Sequence, residues 1–187
     1  MVVSSKAGRS DAPGSLETVR ALLNTWRIPN DTRVPTDLLT DLAADPHRWA
    51  SQLTPLVAPT KRQLPRLIAV RDQVRRALTD PAELEELLAN AALRLRIEPA
   101  PEPTLRHESA DPTSTSEVIL AAVADAISEH TWTRLRVCPD CRWVFYDHTR
   151  NGSRTWCGMT AGGPHGRACG SIAKTRSYRQ RRAASPR

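Results

Sequence analysis

The four cysteines of this 187-residue chain lie together towards its C-terminal end, at positions 138, 141, 157 and 169. Cys138 and Cys141 form a C-x2-C pair, a spacing at which both thiolates can point into one tight turn and accept hydrogen bonds from its backbone amides. Four thiolates around a tetrahedral Zn²⁺ form a closed structural site. Two disulfides are the alternative, but a C-x2-C pair and an N-terminus without the apolar core of a signal peptide argue against them. We therefore predict that Cys138, Cys141, Cys157 and Cys169 bind zinc.

Two histidines compete with Cys169 for the place of the fourth ligand. Eleven residues separate Cys157 from Cys169, and among them is His165, at C-x7-H spacing from Cys157. His148, beside a polar turn, is a weaker rival. A cysteine in the first turn of a helix is better placed than a residue in a long glycine-rich loop, which favours Cys169.

Local patterns around the cysteines predict the rest of a small module. Two strands, 134–137 and 142–146, flank the C-x2-C pair, with Trp143 and Phe145 on one face. A polar turn begins at Asp147, and a basic helix begins at Cys169. A knuckle, a hairpin and a helix that carries the last ligand are typical of a treble clef. Because about fifty residues bury little apolar surface, the metal supplies most of the folding free energy of such a module.

Positive charge is concentrated in the same part of the chain. Residues 134–187 contain twelve lysines and arginines but only two acidic residues, whereas the formal net charge of the whole chain is +7. A basic segment attached to a nearly neutral body is typical of proteins that bind a polyanion. The alternative is a solvated basic tail that has no specific partner.

The preceding residues predict a helical domain. Aromatic residues make up only 4% of the chain, and leucine, alanine and valine supply most of its apolar content, which favours packed helices over a β-sandwich. We predict a disordered leader over 1–14, a helical domain over 15–131, the zinc module over 132–184 and a tail over 185–187. The predicted fold class is mainly α, with a helical N-terminal domain followed by a small treble-clef-like zinc module.

Periodicity and capping signals place the individual helices. The first helix is predicted from Leu16 to Trp26, the second is capped by Thr36, and Asp45-Pro46 opens the third. A fourth is predicted over 60–78, Asp80-Pro81 opens a fifth, and Ser114 or Ser116 starts a sixth that stops near His130. Between the last two, residues 94–98 and 104–107 are predicted to form a short hairpin.

The helical domain contains no recognisable catalytic constellation. Its two histidines before residue 108, His47 and His107, have no acidic or cysteine partner at ligand spacing, so we expect no enzymatic activity. No stretch approaches the roughly 18–20 apolar residues of a membrane span, and we expect a cytoplasmic protein that does not enter a membrane. Two further roles stay open for the helical domain, namely binding a small-molecule or protein ligand and forming a homodimer.

Residues 138–159 resemble the CGNR zinc-finger family. Its C-terminal module reads approximately as a cysteine pair, an aromatic strand, D-x-S/T-R-N-x-S-R-x-W-C-x-M, then C-G-N-R-x-K and a basic helix. Residues 143–159, WVFYDHTRNGSRTWCGM, are similar to the first part, and residues 169–174, CGSIAK, take the place of the second. Upstream, residues 22–25, LLNT, resemble the helix that ends in Asn-Thr in the ABATE domain of such proteins. The resemblance implies a stress-induced transcription regulator of bacteria whose zinc module binds DNA.

The chain departs from the family pattern in its naming motif. Ser171 and Ile172 stand where the family has Asn and Arg, and the loop before Cys169 is longer than is typical. If the absent Arg contacts phosphate, Arg167 could replace it. If the absent Asn caps the helix, Ser171 can do the same.

As a DNA-binding protein, the module would present its last helix to the duplex. We predict these nucleic-acid contacts: Arg150, Arg154, Lys174, Arg176, Arg179, Arg181 and Arg182. Gln180 and Asn151 are the candidates for reading base edges in the major groove. DNA is thus the expected partner. The rivals are a zinc-stabilised protein-interaction module, an RNA-binding protein that stacks bases on Trp143, Phe145 or Tyr146, and a metalloenzyme that uses Asp147.

Overall fold

The computed structural model of the protein describes residues 11–29, 32–99, 101–158 and 168–184. These residues contain seven α-helices: α1 (Ser15–Leu23), α2 (Leu39–Ala44), α3 (Pro46–Leu53), α4 (Leu64–Ala77), α5 (Ala82–Ala89), α6 (Thr115–Ser128) and α7 (Cys169–Ala184). They also contain three two-stranded antiparallel hairpins: β1 (Trp26–Arg27) with β2 (Thr36–Asp37), β3 (Leu93–Glu98) with β4 (Thr104–Ser109), and β5 (Leu135–Val137) with β6 (Val144–Tyr146). The predicted mainly α class is confirmed. No helix in these ranges is long and apolar enough to cross a membrane.

Helix α1 buries the predicted apolar face but ends earlier than predicted. Leu16, Leu22 and Leu23 are fully buried in the core. The helix stops at Leu23 because the hydroxyl and the backbone N–H of Thr25 both donate to the Leu22 carbonyl, which terminates the helical hydrogen-bond ladder. Trp26, predicted to lie in the helix, is instead the first residue of β1.

The start of α2 was also predicted wrongly. Thr36 does not cap the helix, because it lies in β2, where it pairs with Arg27. The helix begins at Leu39, and the carboxylate of Asp37 accepts a hydrogen bond from the Leu39 N–H at 3.0 Å. The same carboxylate is bound by Arg71 of α4, so a tertiary contact decides where the chain turns into the helix.

The other capping signals correspond to helix starts. Asp45 accepts hydrogen bonds from the backbone N–H groups of His47 and Arg48, as expected for Asp-Pro at the start of α3. Just before α5, Asp80 accepts a hydrogen bond from the N–H of Ala82, the first residue of the helix. Helix α4 begins at residue 64 instead of 60, since residues 60–63 form a separate turn.

One apolar core joins the helices and extends beyond residue 131. It includes Trp132, Leu135, Val144 and Tyr146, so one face of the β5–β6 hairpin packs against the helical body. Ala12, within the predicted leader, also contributes to this core; residues 1–10 of that leader lie outside the described residues, as does the predicted tail.

The β3–β4 hairpin forms where it was predicted and is somewhat longer. Its register places Leu93 opposite Ser109 and Glu98 opposite Thr104. Strand β4 packs on α6, where the carboxylate of Asp125 accepts hydrogen bonds from the backbone N–H of His107 and lies 2.9 Å from its ring Nδ1. His107 is therefore a structural residue of this contact.

Candidate metal centre

The four cysteine side chains converge on one point. Their Sγ atoms all lie within 4.8 Å of one another, and each residue is at most 2% exposed. The Sγ of Cys157 lies 3.5 Å from that of Cys141 and 3.7 Å from that of Cys169. Zn–S bonds of about 2.3 Å in a tetrahedron place neighbouring sulfurs about 3.8 Å apart, so the cluster has the size of a Cys₄ zinc site.

A tight turn between β5 and β6 presents the first two thiols. The N–H of Cys138 donates to the Trp143 carbonyl at 2.9 Å, and the N–H of Arg142 donates to the Cys138 carbonyl at 2.9 Å. These bonds close the loop while Arg142 adopts a positive φ of 60°. Cys138 and Cys141 are thereby held on the same side of the turn, as their spacing predicted.

The remaining two thiols come from separate segments. Cys157 lies in an irregular segment after the hairpin, and Cys169 is the first residue of α7. The N–H of Gly170 donates to the Gly158 carbonyl at 2.9 Å, which ties the start of α7 to the segment of the third ligand. The structure thus brings together the four cysteines that were predicted as ligands.

The chemistry of the cluster fits a dication. Hydrogen bonds from the Cys141 and Cys157 thiols lower the pKa of the Cys138 thiol, and burial raises the pKa of the Cys169 thiol. Four thiolates cannot coexist in so small a buried volume without a cation, because each one raises the pKa of the next. Zn²⁺ supplies the compensating charge and accepts four soft sulfur ligands, so the predicted cofactor is confirmed.

The two histidine rivals have different outcomes. The Nε2 of His148 lies 2.6 Å from the carbonyl oxygen of Asp11, and its ring packs against Tyr146 at a centroid distance of 4.8 Å, so it is engaged away from the sulfurs. His165 and Arg167 lie outside the described residues.

Asp147 organises the polar turn beside the metal site. Its carboxylate is fully buried; one oxygen accepts from the N–H and hydroxyl of Thr149, and the other accepts from the N–H of Arg154 at 2.7 Å. Burial pushes the pKa of Asp147 upward, but these hydrogen bonds outweigh it and hold the pKa below its ordinary value. Asp147 therefore caps the turn as an ionised carboxylate.

Three arginines brace the same turn, and one of them was predicted to contact nucleic acid. The guanidinium of Arg154 donates to the carbonyls of Trp156 and Cys157 and lies 4.8 Å from the centre of the Phe145 ring. Arg134 donates to the carbonyl of Thr149, and Arg136 to that of Gly152. Arg134 and Arg136 were not predicted as site residues, because nothing in their local sequence pattern reveals partners some sixteen positions away.

The aromatic side chains of this region face inward. Phe145 is fully buried against the cysteines, with Trp143 and Trp156 partly buried beside it. Tyr146 is 9% exposed and belongs to the core of the helical body. The idea that Phe145 and Tyr146 form an exposed platform for stacking bases is therefore wrong.

Helix α7 carries most of the predicted nucleic-acid contacts on its surface. Five of them are exposed there: Lys174, Arg176, Arg179, Arg181 and Arg182. Only Cys169 and Gly170 of this helix are buried, and its sequence contains no acidic residue. Arg150, Asn151 and Gln180 are also exposed.

The fold and the site define a zinc-finger protein with a Cys₄ centre between a β-hairpin and a basic helix. Residues 134–182 match the family model described as CGNR zinc finger, which confirms the resemblance seen in the sequence. The match covers about a quarter of the chain. No curated protein matches the chain. The likeness of the helical part to the ABATE domain stays a prediction.

Proposed function

We propose that this chain is a zinc-dependent DNA-binding protein and acts as a transcription regulator in bacteria. The observation that carries the proposal is α7, a helix fixed at its first residue to the metal site and exposed from Lys174 onward, with five cations and no acidic side chain. The positive charge of this helix favours a polyanionic partner such as DNA.

The weak packing of α7 supports binding to a partner. Most of the stability of protein helices comes from burying an apolar face, and isolated helices of this length are marginal in water. Helix α7 has 16 residues, of which two are buried, and Tyr178 is 55% exposed. Neutralising its cations with phosphates would stabilise the helix as it binds.

The placement of the cations around α7 suits a groove. At about 100° per residue, Lys174 and Arg181 project to one side, whereas Arg176 and Arg179 project to nearly the opposite side. A helix that lies in the major groove can then reach phosphates of both strands. Gln180 lies between the two sides, where a side chain can meet base edges.

Arg150 extends this positive surface to the exposed turn after β6. Together with the five cations of α7 it makes six candidate phosphate contacts. The guanidinium of Arg154 is held by backbone carbonyls and Phe145, so Arg154 would support DNA binding indirectly, by stabilising the fold of the zinc module. Five to six contacts correspond to a slope of about −4 to −5 in log K against log salt.

Within this proposal, zinc has a structural role. Four sulfur ligands leave no open position for water or substrate, and Asp147 is committed to capping its turn, so we propose no catalytic activity. We place the protein in the cytoplasm, where DNA is available and thiols stay reduced. The helical body would bind a ligand or a second copy of the chain and thereby control the zinc module.

The proposal is tested by fluorescence anisotropy with the zinc-loaded full-length chain and a labelled duplex at two salt concentrations. We expect Lys174→Ala/Arg176→Ala/Arg179→Ala to weaken binding by about 100-fold at low salt and to reduce the salt slope by about 3. The matched control is Arg48→Ala/Lys61→Ala/Arg62→Ala, which removes three exposed cations from the body.

Three results would contradict the proposal. One is the absence of binding at low salt, and another is binding that survives removal of zinc unchanged. The third is a salt-insensitive complex with an acidic protein without retention on DNA, which would identify a protein-interaction module. Equal losses of DNA affinity in the two triple variants would show that binding depends only on the overall charge of the chain and not on α7.

A further inference from the structure

Strand β3 presents an unpaired edge and an exposed apolar face. In the described part of the chain it pairs only with β4, so the peptide groups along its other edge have no strand partner. Leu95 and Ile97 are 67% and 68% exposed, and Leu105, opposite Ile97 on β4, is 50% exposed. An edge of this kind is a template for pairing with another strand.

Charge along β3 is unbalanced at its two ends. Arg94 makes no ion pair with any of the described residues. At the other end, three carboxylates, those of Glu98, Glu129 and Asp125, surround Arg106, so negative charge is in excess around this arginine. An unpaired cation therefore lies at one end of the strand and excess negative charge at the other.

We propose that β3 is a homodimer interface, at which two copies of this chain pair β3 with β3 in an antiparallel manner about a twofold axis through Arg96. In this register Arg94 lies opposite Glu98 of the second copy on one face of the sheet, and Leu95 lies opposite Ile97 on the other. The four strands then form one continuous sheet, in which Leu95, Ile97 and Leu105 of both copies make a single apolar patch.

The neighbouring registers are less favourable. Shifting the axis to Leu95 replaces the two Arg94–Glu98 pairs with two Arg94–Arg96 pairs, which brings like charges together and leaves no attractive pair. Shifting it to Ile97 places Leu95, in the middle of the strand, opposite Pro99, which has no N–H for the ladder, whereas at the proposed axis Pro99 lies opposite only the terminal residue Leu93. At the proposed axis one like-charge contact remains, between the two Arg96 side chains, and each of them is ion-paired with Glu108 of its own chain at 2.8 Å.

This inference does not depend on DNA binding and can be tested on its own by sedimentation of the zinc-loaded full-length chain. Arg94→Glu and Glu98→Arg each create two repulsive pairs in a homodimer, and we expect each to raise the dimer dissociation constant by about tenfold or more. In a mixture of these two variants, both cross-strand pairs are attractive again, so a heterodimer should form with nearly the affinity of the wild type. Recovery on mixing also shows that both variants are folded.

Matched controls carry the same charge changes at exposed positions outside the strand. Arg62→Glu, before α4, and Glu102→Arg, in the β3–β4 turn, should dimerise like the wild type. The proposal is overturned if the wild-type chain is monomeric at its highest soluble concentration. It is also overturned if Arg94→Glu and Glu98→Arg behave like these controls, or if mixing them restores nothing.

A second measurement tests the axis. Facing residues of an antiparallel pair have Cα atoms about 4.5–5.5 Å apart, within the range of a disulfide. We therefore expect Arg96→Cys to form a covalent dimer on mild oxidation, whereas Thr104→Cys on β4 should not. A monomeric Arg96→Cys protein after oxidation would contradict the register.

Discussion

The side chain of Asn24 forms two hydrogen bonds with the backbone of Val144, 120 positions away. Its Nδ2 donates to the Val144 carbonyl at 2.9 Å, and its Oδ1 accepts from the Val144 N–H at 2.8 Å. All of these groups are buried, and the amide pairs with β6 as a neighbouring strand would. The residue after α1 is thereby locked to the hairpin that carries the first two zinc ligands.

Removing this contact should destabilise the protein. Asn24→Ala leaves a buried N–H and a buried carbonyl of Val144 without partners, which costs about 1–3 kcal/mol of unfolding free energy. Chemical denaturation checks the value. Asn90→Ala is the control, because the amide of Asn90 is exposed and donates to the Glu86 carbonyl one turn earlier. Equal stabilities of the two variants would show that the Asn24 contact contributes nothing.

The capping role of Asp147 predicts an effect on both folding and metal binding. Asp147→Asn replaces one acceptor oxygen with a donor, so either Thr149 or the N–H of Arg154 loses its partner. We expect a loss of about 1–3 kcal/mol in unfolding free energy and a decrease of about 10- to 100-fold in zinc affinity, measured by competition with a chromophoric chelator. Unchanged zinc affinity would show that the turn does not support the ligands.

Arg154 and Arg150, both predicted as DNA contacts, should have different roles: Arg154 supports the metal site, and Arg150 contacts phosphate. Arg154→Lys loses the planar fork that holds the Trp156 and Cys157 carbonyls, and should weaken zinc binding about tenfold. Arg150→Ala should leave zinc binding unchanged and reduce the salt slope of DNA binding by about 1. If instead the Arg154 variant keeps wild-type zinc affinity and loses one unit of salt slope, Arg154 is itself a phosphate contact.

The identity of the fourth ligand can be settled by zinc stoichiometry. Cys169→Ser should lower zinc affinity by more than about tenfold and release α7 from the metal site, because this residue links the two. His165→Ala should still bind one zinc per chain with wild-type affinity. The reverse pattern would assign the fourth position to His165.

The ion pair between the buried Arg71 and the half-buried Asp37 predicts a pH dependence. Burial pushes the pKa of Asp37 upward, but the hydrogen bonds and charge of Arg71 outweigh it and hold the pKa below 3.8. A carboxyl whose pKa is lower in the folded state stabilises the protein above its unfolded pKa, and this contribution is lost as pH falls through the folded value. Stability should therefore decline below about pH 4.

Denaturation of Asp37→Asn at several pH values checks this expectation. Because the Asp37 side chain is 41% exposed and Asp72 also pairs with Arg71, we expect a loss of only about 1–2 kcal/mol near neutral pH. The difference from wild type should shrink in acid. Asp41→Asn, at an exposed position on α2, is the control. A constant difference at all pH values would exclude Asp37 as the titrating group.

Local sequence was sufficient to predict several elements. Asp45-Pro46 and Asp80-Pro81 correspond to the starts of α3 and α5 because a capping carboxylate bonds to amides two or three residues away. It was insufficient at Trp26 and Thr36, which lie in two paired strands. Trp26 of β1 lies opposite Asp37, and Thr36 of β2 lies opposite Arg27. Propensity and periodicity favour helix there, but the hydrogen bonds of Thr25 to the Leu22 carbonyl end α1, and the long-range contact between Asp37 and Arg71 holds β2.

For the functional part of the molecule, the sequence by itself was enough to predict the zinc module and its four ligands. The spacing of the four cysteines, the basic helix and the residues of 143–159 are local features, and local chemistry is enough to define a Cys₄ site. The tertiary structure decided how that module joins the body, through Asn24 and Val144, and which arginines brace it. It also showed that Phe145 and Tyr146 face inward. Such contacts join residues far apart in sequence, and they exist only once the chain has packed.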